Sequence, residues 1–187
     1  MPNWCENYLQ VDGDKLEVLS FVNAVSAPIS GEPEDGEEYR ICRSLLPLPE
    51  NAHKILDNGI RAFTDIGYNT ALAMWGTKWG DCDTTMLESS TPVSANFYYQ
   101  TAWSPMTEAL LSISAMFPKL KFRQAYIEEG NAFCGGEVVE NGLVMVRTDV
   151  TLDDAPLYDE NDENKYYEDH QNWRNEKLEA VQNVVGI

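Results

Sequence analysis

Asn141-Gly142 is the feature that most constrains the fold of this chain, because this dipeptide has the residues that a type I′ turn requires. Residues 133–139 and 143–150 flank it and read as strands, so the second strand returns antiparallel to the first. Gly135-Gly136 indicates a bulge in the earlier strand. Residues 121–127 read as one more strand just before this hairpin. The sequence therefore predicts an antiparallel sheet.

Two strands, each followed by a helix, are predicted earlier in the chain. Residues 5–11 alternate with the period of a half-buried strand, and a helix of about three turns begins at Asp14, which has the pattern of a capping box. Aromatic and β-branched residues make 95–103 the strongest strand signal. Ser104-Pro105 supplies the first positions of a second helix. The buried stripe of that helix is Leu110, Ile113 and Phe117.

The segment between these units has a mixed pattern. Residues 39–46 can form a strand, 52–63 favour a helix, and Gly67 leads out of that helix. Trp75-Gly76-Thr77-Lys78-Trp79-Gly80 places two indoles four residues apart around a glycine, which indicates an ordered loop. Its tryptophans are predicted to pin the inserted segment onto the sheet.

The complete order is strand-helix-strand, an insertion, then strand-helix-strand-strand. This order predicts an α+β fold, a ferredoxin-like antiparallel sheet with helices packed on one face. Residues 1–147 then form the domain, with an insertion at about 50–94. Residues 148–187 form an acidic C-terminal extension that is partly helical.

The C-terminal extension combines acidity with helical periodicity. It carries 11 acidic residues against 3 basic ones. Leu178, Val181 and Val185 recur at helical spacing and predict a terminal helix that begins between Asp162 and Glu168. The helix is expected to dock through this stripe while its carboxylates stay in water.

Net charge narrows the classes of partner. The 187 residues include 13 Lys+Arg and 31 Asp+Glu, a net charge of −18. Such a charge repels phosphate backbones and anionic lipids and favours basic partners. The first residues lack the pattern of a signal peptide, and no run approaches the roughly 18 apolar residues of a membrane span. A cytoplasmic protein that binds neither membrane nor nucleic acid directly is expected.

Several motifs occur together in a fixed order. They are Met1-Pro2-Asn3-Trp4-Cys5-Glu6-Asn7-Tyr8-Leu9, Leu45-Leu46-Pro47-Leu48-Pro49-Glu50, Trp75-Gly76-Thr77-Lys78-Trp79, Thr101-Ala102-Trp103-Ser104-Pro105 and Phe133-Cys134-Gly135-Gly136. Over about residues 1–145 the chain resembles the YubB-type family of phage and plasmid proteins with a ferredoxin-like domain. The resemblance implies this fold and a setting on mobile elements, and it brings no catalytic residue.

Catalytic and metal-binding motifs are not evident. His53 and His170 lie in no recognisable catalytic pattern, and there is no phosphate-binding loop or metalloprotease motif. The cysteines are scattered, so we expect reduced thiols and no zinc site. Asp81-Cys82-Asp83 lacks the spacing of a calcium loop and indicates a solvated face. No enzyme activity, cofactor or metal is therefore expected.

An aromatic surface is one alternative. Trp75, Trp79, Phe97, Tyr99 and Trp103 can present a stacking platform for single-stranded nucleic acid. The cations that could bind its phosphates are Lys78 and a small cluster at Lys119, Lys121 and Arg123. These are few for a chain with a net charge of −18. The sequence leaves open whether the Trp75 and Trp79 loop is structural or functional, and an unrecognised hydrolase is a third hypothesis.

The acidic segments carry the favoured hypothesis. Rows of carboxylates can imitate phosphates in a cationic DNA-binding channel. We therefore expect a non-enzymatic inhibitor of a host nucleic-acid-handling or defence protein. The residues expected to bind that partner are Glu32, Glu34, Asp35, Glu37, Glu38, Asp153, Asp154, Asp159, Glu160, Asp162, Glu163, Glu168 and Asp169.

Overall fold

The computed structural model describes residues 3–26, 39–156 and 162–187. In chain order the elements are β1 (Trp4–Asp12), α1 (Lys15–Val25), α2 (Ile41–Leu45), a short 3-10 turn (Glu50–Ala52), β2 (His53–Ile55), β3 (Arg61–Phe63), α3 (Asp65–Trp75), β4 (Cys82–Met86), β5 (Ser94–Ala102), α4 (Thr107–Met116), β6 (Lys121–Glu128), β7 (Phe133–Glu140), β8 (Leu143–Thr151) and α5 (Glu163–Val185).

Six strands form one antiparallel sheet in the order β4-β5-β1-β6-β7-β8, and β2 pairs with β3 separately. Asn141 (φ 48°) and Gly142 (φ 77°) both adopt the positive φ of a type I′ turn. The predicted hairpin and the α+β antiparallel sheet are confirmed.

Helices cover both faces of the sheet. Phe21 of α1 and Leu110 of α4 pack on one face, against Leu9 and Phe97. Val181 and its neighbours in α5 pack on the other face, over β6, β7 and β8. The expectation of helices on one face therefore holds for α1 and α4, and α5 adds a layer on the opposite face. The predicted start and docking stripe of α5 are confirmed.

Residues 39–46 are not a strand, because Ile41–Leu45 is the helix α2. The buried carboxylate of Asp81 accepts hydrogen bonds from the backbone N–H groups of Ile41 and Cys42, each at 2.7 Å. An acid at a helix N-terminus satisfies donors that have no partner within the helix. Asp81, 40 positions later in the sequence than Ile41, thus stabilises a helix where the local pattern predicted a strand.

Residues 52–63 are not a helix either. They form the hairpin β2–β3, and the helix α3 begins afterwards, capped by the Thr64 hydroxyl, which accepts from the Gly67 N–H. Gly67 lies in the first turn of α3 rather than leading out of a helix. A Cβ at this position would stand 1.9 Å from the carbonyl oxygen of Ala52, so glycine permits the close approach.

Two other local predictions are wrong. The helix α4 begins at Thr107, and Ser104 instead donates its hydroxyl to the Gly76 carbonyl at 2.7 Å. The irregularity in β7 lies at Val138/Val139 rather than at Gly135-Gly136. These two glycines instead make room, because a Cβ on Gly136 would meet Val181 of α5 at 2.6 Å.

Candidate functional site

Two of the bases of α5, Arg174 and Lys177, turn inward to acids of other elements. Arg174 is buried, and its guanidinium contacts Glu129 at 2.9 Å and Glu6 at 2.5 Å. The ammonium of Lys177 lies 2.8 Å from the carboxylate of Asp154. Buried charges are stable when paired in this way. Two of the three bases of α5 are therefore engaged by acids of other elements.

The opposite side of α5 is acidic. Helical spacing puts Glu168, Asp169, Glu176 and Glu179 away from the buried stripe, and all four are exposed. We call these four residues the outer acidic face. Lys165 also lies on this side, and it pairs with Asp169. The four carboxylates extend over about 16 Å of helix at 1.5 Å per residue.

The predicted partner-binding residues divide into groups. Glu168 and Asp169 belong to the outer acidic face, and Asp153 and Glu163 are exposed elsewhere. Asp162 caps α5 by accepting from the Lys165 N–H at 3.2 Å. Asp159 and Glu160, and the loop acids Glu32, Glu34, Asp35, Glu37 and Glu38, lie outside the described residues.

Asp154 anchors the helix. It accepts from Lys177 and, at 3.0 Å, from the indole N–H of Trp173. These bonds, that from Lys177 first, lower the pKa of the Asp154 carboxyl. Asp154 therefore anchors α5 and Asp162 caps it, two roles within the fold that the sequence did not indicate.

The sheet does not present the aromatic platform described above. Phe97 and Tyr99 are fully buried beneath α1 and α4, so they are inaccessible to a nucleic-acid base. Trp75 is also buried, and its indole N–H donates to the Leu46 carbonyl at 2.9 Å. Trp75 thus pins the inserted segment, as the sequence predicted for the tryptophans. Trp79 and Trp103 remain at the surface.

A cavity of about 740 Å³ lies between α2, the β2–β3 hairpin, the start of α3 and the loop before β4. We call it the insertion pocket. It is lined by Arg43, His53, Arg61, Ala62, Phe63, Thr64, Asp65, Tyr68, Lys78, Trp79 and Cys82. The charged side chains among these described residues are the cations Arg43, Arg61 and Lys78 and the carboxylate Asp65.

Aromatic rings hold the Lys78 ammonium at the pocket. Its nitrogen lies 5.0 Å from the ring centre of Trp79, 5.4 Å from Trp103 and 5.7 Å from Tyr68. Trp79 also packs on Trp4, with ring centres 5.7 Å apart. Cation–π contacts of this kind orient an ammonium without neutralising it. The positive charge therefore stays available to an anion.

The β2–β3 hairpin supplies a second polar pair. A terminal nitrogen of Arg61 lies 3.2 Å from Nδ1 of His53. A guanidinium only donates, so Nδ1 is the acceptor in a hydrogen bond between these two side chains. The sequence did not indicate this group of residues, because Arg43 was expected in a strand and Arg61 in a helix, whereas they lie in α2 and β3. The Trp75–Trp79 motif was the one signal that pointed to it.

Asp81 fixes the helix that carries Arg43. Besides the two N–H groups of α2, its carboxylate accepts from the Thr84 hydroxyl at 2.7 Å, and the residue is 2% exposed. The interpretation of Asp81-Cys82-Asp83 as a solvated face is therefore wrong for Asp81. Within residues 3–26, 39–156 and 162–187, no three His, Cys, Asp or Glu side chains are grouped to hold a metal ion.

We expect Cys82 to be the one rapidly reacting thiol. Burial raises the pKa of Cys5 to about 12 and that of Cys134 to about 11, and it raises the pKa of the buried Cys42 as well. These three thiols stay protonated near neutral pH, whereas Cys82 is partly exposed at the pocket. Mass spectrometry after maleimide labelling at pH 7 should find one fast adduct, absent from Cys82→Ser. Fast labelling of Cys5 or Cys134 would contradict the burial described here.

Taken with its comparisons, this architecture defines a ferredoxin-like α+β protein. The family described as the ferredoxin-like domain in Api92-like protein matches residues 74–170, more than half of the chain. The chain therefore belongs to that family. A crystal structure of the protein api92 from Yersinia pseudotuberculosis is similar in fold, with a TM-score of 0.52 and 11% identity over 84% of this chain and 100% of that one.

A comparison with curated proteins gives no match. The matched family is Api92-like rather than YubB-type, and neither finding concerns phages or plasmids. Among the helices of the described segments, none has both the length and the apolar run needed to cross a bilayer.

Proposed function

We propose that the protein binds and inhibits a basic, nucleic-acid-handling protein through the outer acidic face of α5, which takes the place of DNA phosphates. The setting inferred from the YubB-type resemblance, a phage or plasmid protein acting on a host protein in the cytoplasm, is part of this proposal. The observation that supports it most is the separation of charges on α5, where Arg174 and Lys177 face inward and the four carboxylates of the outer acidic face are exposed.

Segregation matters because it leaves this side of α5 with an excess of negative charge, four carboxylates against Lys165, which pairs with Asp169. Arg174 and Lys177 are turned inward to Glu6, Glu129 and Asp154, so they do not neutralise the carboxylates outside. Four carboxylates over about 16 Å are within a factor of two of the phosphate density of one DNA strand, one per about 3.4 Å. Docking on the sheet also holds the helix in place, which lowers the entropy cost of binding.

The test is release of host proteins from immobilised duplex DNA. The native protein is expected to elute a defined set of DNA-binding proteins from a host lysate at low salt, and to elute less as salt is raised. The combined variant Glu168→Gln, Asp169→Asn, Glu176→Gln and Glu179→Gln removes four charges with little change of shape, and it should lose this release. Single changes are too weak to be informative, since exposed pairs contribute about 0–1 kcal/mol each.

A matched control separates the face from total charge. Glu50→Gln, Asp57→Asn, Glu88→Gln and Glu108→Gln also remove four exposed carboxylates, all outside α5. This variant should still release the same proteins. Equal release by both variants, or no release by the native protein, would refute the proposal.

A further inference from the structure

We propose that the edge strand β8 pairs with β8 of a second copy of this chain, antiparallel and about a two-fold axis at Thr148. The two six-stranded sheets then form one continuous sheet. This surface differs from the outer acidic face of α5, and the inference does not depend on the proposed inhibitor function.

The two edges of the sheet are built differently. At one edge, β4 has only five residues, its register with β5 shifts, and Asp83 adopts a φ of 52°. Short and irregular edges of this kind resist pairing with another chain. At the other edge, β8 has nine residues, and within the described segments it pairs with β7 alone.

The side chains of β8 are exposed as well. Four consecutive apolar residues are between 38% and 64% exposed: Leu143, Val144, Met145 and Val146. A long apolar edge invites the addition of another strand. The register shift against β7 lies at the start of β8, so residues 146–151 pair regularly with β7 and can form a regular outer ladder.

The regular part of β8 is complementary to itself. Val146-Arg147-Thr148-Asp149-Val150 has valine at both ends and opposite charges on either side of Thr148. With Thr148 opposite Thr148 of the second copy, Arg147 lies opposite Asp149 and Val146 opposite Val150, each pair twice. Cross-strand pairs of opposite charge, of threonines and of β-branched residues stabilise a sheet. This charge complementarity indicates that a second copy is the occupant of the edge.

Both charged side chains are placed to reach the second copy. The side chain of Arg147 is 50% exposed, and one of its terminal nitrogens donates to the buried Glu137 at 2.9 Å. A guanidinium has five N–H donors, so this bond orients Arg147 and leaves donors for a further carboxylate. Asp149 is exposed and, two residues later, lies on the same face of the strand.

Charge and helix packing are both compatible with this axis. An axis at position 147 or 149 would place Arg147 opposite Arg147, or Asp149 opposite Asp149, and like charges directly opposite are destabilising. The helices α4 and α5 are centred over β7. The two copies of β7 would lie three strand intervals, about 14 Å, apart, whereas packed helices need about 8–10 Å. The helices of two copies therefore fit side by side on each face.

Oxidative cross-linking tests the position of the axis. Directly opposite residues of an antiparallel pair have Cα atoms about 4.5–5.5 Å apart, within the range of a disulfide. Thr148→Cys, made with Cys82→Ser to remove the partly exposed native thiol, should cross-link to a dimer on mild oxidation. Met145→Cys in the same background is the control. Its two thiols would lie about 20 Å apart, so it should cross-link at least about ten-fold less.

Sedimentation equilibrium tests the charge pairs. Asp149→Arg replaces both attractive pairs with two guanidinium groups opposite each other, and it should weaken dimerisation about ten-fold or more. Asp57→Arg, in the exposed turn between β2 and β3, makes the same change of total charge away from β8. This control should dimerise at least as strongly as the native protein, because it lowers the repulsion between two chains of net charge −18.

Three results would overturn the proposal. One is a native protein that stays monomeric up to about 1 mM, which would favour a strand of a different protein as the occupant. The others are equal cross-linking of Thr148→Cys and Met145→Cys, and equal weakening by Asp149→Arg and Asp57→Arg. If thermal melting shows that Asp149→Arg does not fold, the cross-linking decides. The four-carboxylate variant of α5 should still dimerise, so the inhibitor proposal can fail independently.

Discussion

Asp81→Ala is expected to lower the free energy of unfolding by roughly 3–5 kcal/mol. The carboxylate accepts three hydrogen bonds of 2.7 Å, from the N–H groups of Ile41 and Cys42 and from the Thr84 hydroxyl. Hydrogen bonds to charged groups contribute about 1.5–3 kcal/mol each, and the variant leaves buried donors without a partner. Urea denaturation followed by circular dichroism measures the change.

The reactivity of Cys42 provides an independent readout of the same variant. Cys42 follows the first residue of α2 and is fully buried. Without the Asp81 cap, α2 should open locally, and maleimide labelling of Cys42 should accelerate. Glu88→Ala, an exposed carboxylate just after β4, is the control and should change stability by less than about 0.5 kcal/mol. A similar small loss for Asp81→Ala would show that the cap is dispensable.

Phe21→Ala is expected to cost about 3–5 kcal/mol, the range for removing a fully buried phenylalanine. Phe21 has no exposed surface, and its ring makes edge-on contacts with Phe97, Phe117 and Phe122 at centre distances of 6.1, 5.4 and 5.5 Å. The variant would leave a cavity where α1, α4 and the sheet meet. Equilibrium unfolding of both proteins in urea gives the difference.

Leu16→Ala is the matched control on the same helix, because Leu16 is 76% exposed. Its effect should stay within about 0.5 kcal/mol. A loss below about 1 kcal/mol for Phe21→Ala would contradict the central position of this ring in the core. Phe117, predicted to lie in the buried stripe of α4, is only partly buried at the end of that helix. Its replacement by alanine is therefore a weaker test of the core than that of Phe21.

Local patterns were sufficient for five of the six strands of the sheet, all but β4, and for α5. Alternation in β1 and β5 reflects a pleat with one side in the core, and such a period depends on neighbouring residues alone. The Asn141-Gly142 turn is likewise local, since its positive φ angles are a property of the two residues. The stripe of Leu178, Val181 and Val185 predicted where α5 docks. Each of these signals needs no partner from elsewhere in the chain.

The inserted segment was mispredicted because distant contacts determine it. Asp81 stabilises α2 across 40 positions of sequence, and Ala52 fixes where α3 can begin by its contact with Gly67. The insertion pocket depends on both, so its cations could not be grouped from sequence. The acidity of the C-terminal segment was evident from the sequence. The pairing of Asp154 with Lys177 could not be predicted, because it depends on the tertiary position of α5.

The order of strands keeps the insertion pocket and the outer acidic face apart. The insertion pocket borders β4 at one edge of the sheet, whereas α5 packs over β6, β7 and β8 toward the other edge. Neighbouring strands are about 4.8 Å apart, so the five intervals from β4 to β8 form a rigid spacer of about 24 Å. A partner bound on α5 would therefore leave the β4 edge of the sheet uncovered.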